Sequence, residues 1–163
     1  MIKKLLFTVV ALLGIATMAS AQQLANVKIE NGKGQIISTA SLIDGKTPFI
    51  LSFWSSTCKP CCKELAAIND QLIDWQDQAK FRVVIVSVDD SRSASKARAM
   101  VNGSGWTDFI DLYDKNQDLK RGMNVNLTPM AFVIDKNGKV VYSHMGYAPG
   151  AEAELFQQIL KLQ

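Results

Sequence analysis

The chain has 163 residues, enough for one domain with a sizeable core, and its 48% hydrophobic and 20% charged residues are ordinary for a globular protein. Lys+Arg number 18 and Asp+Glu 15; without Lys3 and Lys4, which sit in the first segment, 16 remain against 15, about +1. That balance gives no electrostatic case for nucleic acid or an anionic membrane as partner, and no low-complexity stretch or internal repeat is present.

Residues 1–21 read as a signal peptide. Lys3 and Lys4 form a basic start, Leu5 to Met18 an apolar run, and Ala19-Ser20-Ala21 a small-residue cleavage site. The run is shorter than the about 20 apolar residues a spanning helix needs. An uncleaved anchor is the alternative. No cysteine lies near the cleavage point, which excludes a lipoprotein anchor. Cleavage after Ala21 leaves residues 22–163 as one domain, soluble and outside the cytoplasm, in the periplasm or an equivalent compartment.

The domain's elements follow from pattern. Asn26 to Ser38 reads as a short hairpin, with turn chemistry in Asn31-Gly32 and Lys33-Gly34. Pro48 to Trp54 is nearly all apolar, as a strand covered on both faces requires. From Pro60 to about Gln76, Leu65, Ile68, Leu72 and Trp75 form one helical stripe. Phe81 to Val88 is a second buried strand. Asp89, Asp90 and Ser91 offer N-caps for a helix through Met100 and Val101, ended by Asn102 to Gly105. Phe109 to Tyr113 is a short strand and Lys115 to Gly122 a short helix. Met130 to Ile134 and Lys139 to Ser143 are strands joined by the turn Asp135-Lys136-Asn137-Gly138. Gly150 to Leu162 is a closing helix, with Leu155, Phe156, Ile159, Leu160 and Leu162 inward. This alternation predicts an α/β sandwich with a mixed sheet, parallel at the helical crossovers and antiparallel at the last hairpin.

All three cysteines, Cys58, Cys61 and Cys62, fall within WSSTCKPCCKEL. An odd count in an oxidising compartment allows at most one internal bridge, and a bridge spanning two residues stabilises little. Cys58 stands where a buried strand ends and a helix begins. The unpaired N–H groups there, the positive end of the helix dipole and the neighbouring Lys59 all favour a thiolate. Pro60 suits the first helical turn and keeps Cys61 beside Cys58. The pair can attack a substrate disulfide through Cys58 and resolve the mixed disulfide through Cys61, or run in reverse. Zinc is the rival for this spacing. It wants four ligands, and adjacent Cys61 and Cys62 point about 100° apart on a helix.

FWSSTCKPCCKEL resembles the F-W-x-x-W-C-x-P-C-x-x-E segment of the TlpA/ResA-like exported thiol-disulfide oxidoreductases of the thioredoxin superfamily. The resemblance runs from about Gly34 to Leu162 and takes in VVIVSVDD, the added helix and strand, and LTPMAFVIDKNGKVV. It implies a thioredoxin-like three-layer sandwich with an N-terminal hairpin and an inserted helix and strand. It further implies that Pro129 is a cis-proline and that Thr128-Pro129 faces the cysteines and pairs with substrate. Trp54, Lys59 and Pro60 would flank that contact. Glu64 matches a glutamate used as a proton relay for Cys61; a surface glutamate paired with Lys59 or Lys63 is the alternative. Thr57 replaces the family's frequent Trp, and Ser52 stands where cytoplasmic thioredoxins carry a buried Asp.

Two side chains stay open. Cys62 is read as a half-buried small hydrophobe, as a competing partner for Cys58, or as a site for mixed disulfides. His144 is read as a solvated or hydrogen-bonded strand residue. A Sco-like copper site using Cys58, Cys62 and His144 is one rival function. A peroxiredoxin is another, but Leu51 occupies the place of that family's proline. A redox-silent binding protein is the third. The resemblance implies a monomeric exported oxidoreductase, expected to act as a reductase rather than an oxidase or isomerase. It implies no cofactor beyond the Cys58–Cys61 disulfide. Partners would be exported proteins bearing disulfides or dithiols, apocytochrome c among them, and a membrane thiol electron donor.

Overall fold

The computed structural model describes residues 22–163; the expected signal segment, residues 1–21, lies outside them. In chain order come β1 (Lys28–Asn31), β2 (Ile36–Ser38), a 3-10 turn (Thr39–Leu42), β3 (Phe49–Trp54), α1 (Lys59–Gln78) and β4 (Arg82–Ser87). Then follow α2 (Ala94–Gly103), β5 (Ile110–Tyr113), α3 (Asp118–Gly122), β6 (Met130–Ile134), β7 (Val140–Met145) and α4 (Ala151–Leu160). Seven strands form one sheet in the order β2-β1-β5-β4-β3-β6-β7. β3, β4 and β5 run parallel, because α1 and α2 carry the chain back between them. β6 and β7 close one side antiparallel, and β1 docks antiparallel on β5 at the other.

Every residue of β3 is buried, so its side chains serve two cores at once. Strand alternation sends Phe49, Leu51 and Phe53 to one face, with Val84, Val86, Leu119, Met123 and Phe132. Ile50 and Trp54 go to the other face, where α1, α2 and α4 bring Leu65, Ile68, Ala97, Val101, Leu155 and Ile159. Ser52 shares that second face, and this places its hydroxyl under α1. Trp75 of α1 stacks on Phe156 of α4, ring centroids 4.7 Å apart. Each large side chain in such a core resists truncation by about 3–5 kcal/mol.

All four helix starts differ from the sequence reading; α4 begins at Ala151, with Gly150 as its N-cap, and the other three shift for a polar reason. α1 begins one residue earlier, with Cys58 itself as N-cap. α2 begins at Ala94 and not at Asp89–Ser91. Asp90 closes a tight turn instead, accepting the Ser93 N–H at 3.1 Å and the Ser93 hydroxyl at 2.9 Å. α3 begins at Asp118 because buried Asp114 accepts the N–H groups of Leu119 (3.2 Å) and Lys120 (2.8 Å). At the β6–β7 turn, Gly138 adopts φ +85° and its backbone passes Ile43 so closely that a Cβ would lie 2.5 Å from Cδ1. Among the described residues, no helix is long and apolar enough to cross a membrane.

Candidate active site

β3 ends at Trp54, and after three intervening residues the chain enters α1 through Cys58. The Cys58 N–H donates to the Ser55 carbonyl at 3.1 Å, and the Cys61 N–H donates to Cys58 Sγ at 3.2 Å. This sulfur thus sits on an N–H group of the first helical turn, where the helix presents its positive end. Cys58 and Cys61 are joined by a disulfide, with Cα atoms 5.3 Å apart. The two sulfurs differ in access. Cys61 is 0% exposed, whereas Cys58 is only partly buried. An incoming thiolate therefore reaches the bond through Cys58, and the same sulfur meets a partner first when the bond is open. Lys59 and Pro60 are exposed beside it.

A buried carboxylate anchors the loop, and the sequence reading missed it. Asp89 accepts the Ser56 N–H at 2.8 Å, the Ser56 hydroxyl at 2.6 Å and the Ser87 hydroxyl at 2.8 Å. The local sequence alone points to a helix cap at Asp89. The only sequence signal for its real role is a serine-rich loop after one strand and an Asp after its neighbour.

Glu64 is 1% exposed and lies one helical turn beyond Cys61, on the buried side of α1. Its Oε2 accepts the Ser52 hydroxyl at 2.9 Å. Its Oε1 has no partner among the described residues. Burial pushes the Glu64 carboxyl up to about 7; the Ser52 hydrogen bond pulls it down, and the Glu152 charge pushes it up. The surface alternative, paired with Lys59 or Lys63, is not what the chain adopts.

Trp54 is 1% exposed and meets Trp106 edge to face, centroids 5.5 Å apart. It supports the site from inside and offers no surface to a docking chain. Thr128 and Pro129 stand at the same end of the sheet, since Met130 pairs with Phe53. The Thr128–Pro129 peptide bond is cis. The Pro129 carbonyl accepts the Gly146 N–H at 2.9 Å, while the N–H and C=O of Thr128 take no hydrogen bond within the described residues. Leu127 and Met145, on either side, expose 67% and 63% of their surface.

Cys62 carries no disulfide and is partly buried; burial pushes its thiol up. His144 pairs with Ala131 across the β6–β7 ladder. Among the described residues, no three His, Cys, Asp or Glu side chains are placed to share a metal ion.

A cysteine pair opening the first helix after a central strand, in a sheet of this order, defines a thiol-disulfide oxidoreductase with a thioredoxin-like fold. The chain belongs to the AhpC/TSA family, whose model matches residues 20–143. It is similar to the thiol-disulfide oxidoreductase ResA of Bacillus anthracis, 30% identical over 129 residues, or 79% of this chain and 71% of that one. It is also similar to the thiol:disulfide interchange protein DsbE of Yersinia pestis, 33% identical over 113 residues, or 69% of this chain and 56% of that one. Among solved structures, an uncharacterized thioredoxin-like protein of Porphyromonas gingivalis matches with TM-score 0.76 and 42% identity, covering 87% of this chain and 92% of the other.

Proposed function

We propose that this chain reduces disulfides in exported proteins, with Cys58 as nucleophile, Cys61 as resolving thiol and Glu64 as proton relay. The observation that carries the assignment of roles is the unequal exposure of the two bonded sulfurs. The Cys58 thiolate attacks one sulfur of a substrate disulfide; that bond breaks, a mixed disulfide forms, and the substrate's other sulfur leaves as a thiolate. Cys61 then gives its proton to Glu64 and attacks Cys58 Sγ. The substrate's second sulfur departs and the Cys58–Cys61 disulfide is restored. The substrate gains two electrons and the enzyme loses them. No cofactor besides the disulfide takes part. A membrane thiol donor re-reduces the pair from outside the cytoplasm.

Thr128-Pro129 is the surface along which the substrate chain lies, because the N–H and C=O of Thr128, in the bend just ahead of β6, take no hydrogen bond among the described residues and are open to a substrate backbone. Lys59 and Pro60 border the contact. The signal-like start supports cleavage after Ala21 and export to the periplasm or an equivalent compartment, where the chain would act as a monomer. The resemblance to the ResA-like proteins supports reduction and makes apocytochrome c one candidate substrate.

The test is a Cys61→Ala trap in cells. Mixed disulfides should accumulate on Cys58, and mass spectrometry names the partners. Equal trapping by Cys58→Ala would overturn the choice of nucleophile. A midpoint potential near −270 mV agrees with reduction; one near −120 mV would assign oxidation instead.

A further inference from the structure

Beside the disulfide lies an open cavity of about 520 Å³. Cys58, the N-cap of α1, and Cys62, one turn into that helix, form one wall, and Met100 of α2 faces them. The rim carries Lys59, Lys63 and Lys96, all exposed. No acidic side chain lines it, and none of the three lysines joins a salt bridge among the described residues. A chain that is nearly neutral after its first segment thus gathers three unneutralised cations around an apolar floor at its reactive sulfur. Such a concentration of one sign draws oppositely charged partners and repels like ones.

We propose that this groove receives the substrate residues next to the attacked cysteine, and that it selects a protein segment with an apolar side chain flanked by Asp or Glu. The apolar side chain covers Cys62 and Met100. The carboxylates meet Lys59, Lys63 and Lys96. The inference rests on the oxidoreductase reading for its substrate, but the surface itself can be probed without any redox step.

In the oxidised protein Cys62 is the single free thiol of three, and it lies inside the groove. It reports occupancy directly. Two short synthetic peptides serve as probes, both with Ser in place of Cys around a central Leu, one flanked by Glu and one by Lys. Alkylation of Cys62 by N-ethylmaleimide is followed at about pH 8.5, where a thiol begins to ionise. The Glu peptide should slow alkylation at concentrations where the Lys peptide does not. Lys96→Glu should weaken the protection roughly two- to fivefold, and high salt should weaken it further. Equal protection by both peptides, no protection by either, or an unchanged preference in Lys96→Glu would overturn the proposal. Since the probes carry no sulfur, protection without trapping would uphold the surface while sinking the reductase reading; trapping without protection would do the reverse.

Discussion

Ser52 on β3 donates its hydroxyl to Glu64 on α1 at 2.9 Å, both side chains being buried between the sheet and the helix. Strand alternation puts Ser52 on the α1 face, and helix spacing puts Glu64 one turn from Cys61. The bond satisfies one carboxylate oxygen, and the other has no partner among the described residues. A carboxyl in that position holds a proton close to neutrality, where a dithiol needs one moved.

The fold itself should register that proton. The Glu64 carboxyl rises from 4.5 to about 7 on folding, so between those values the native state keeps a proton that the unfolded chain gives up. Stability is therefore greatest below the unfolded value and falls as pH rises through the folded one. The neutral Glu64→Gln variant escapes the loss. Urea unfolding should show it more stable than the parent by roughly 2–3 kcal/mol at about pH 8, and equal at about pH 4. A variant that is weaker at the higher pH contradicts the buried, uncompensated carboxylate.

Catalysis should read the same group differently. Removing the carboxyl in Glu64→Gln should slow thiol–disulfide exchange by about 100-fold and erase a rate inflection near neutrality. Ser52→Ala removes the hydrogen bond that pulls the carboxyl down, so the inflection should move to higher pH with Glu64 still in place. Stopped-flow rates across pH distinguish this from simple damage, which would lower the plateau and leave the inflection where it was.

The apolar runs of β3 and β4, the α1 stripe and the cysteine spacing were all legible, because each repeats with a short period or sits at a strand-to-helix junction. The long-range polar contacts were not. Nothing in the local pattern tells that Ser52 meets Glu64, or that Asp89 turns inward to Ser56 and Ser87 and leaves no cap for α2. The Ser56–Asp89 bonds depend on the register between parallel strands 33 residues apart in sequence, where Ser87 lies opposite Trp54, and the Ser52–Glu64 bond on how α1 packs over β3. The docking of β1 on β5 was hidden for the same reason.

Asp89 should matter to the active-site loop more than its distance from the sulfurs suggests. Its carboxylate accepts three hydrogen bonds in the core. Asp89→Ala leaves two buried hydroxyls and one N–H without their acceptor, at a cost of about 2–4 kcal/mol by denaturant unfolding. Dithiothreitol should then reduce the Cys58–Cys61 bond faster, since the loop ahead of Cys58 is no longer tied to β4. Asp89→Asn keeps one acceptor oxygen and should fall between the two. Unchanged reduction kinetics in Asp89→Ala would mean that the network stabilises the sheet without holding the loop.

Arg98 fastens the N-terminal hairpin to α2. Its guanidinium lies 3.9 Å from the ring centre of Tyr113, donates to the Gly32 carbonyl at 2.7 Å and pairs with Glu30, which also accepts from Lys115 at 2.6 Å. A planar, forked cation suits all three contacts at once, and an ammonium does not. Arg98→Lys preserves the charge, so a purely electrostatic clasp would survive it. The geometry predicts that it will not. Arg98→Lys should cost about 1–2 kcal/mol, most of the loss seen in Arg98→Ala, after allowing for the partial exposure of these side chains. Amide exchange should quicken in β1 and β2 while β3 and β4 stay protected. Full protection of the hairpin in Arg98→Lys would show that the sheet edge is held by its backbone pairing with β5 alone.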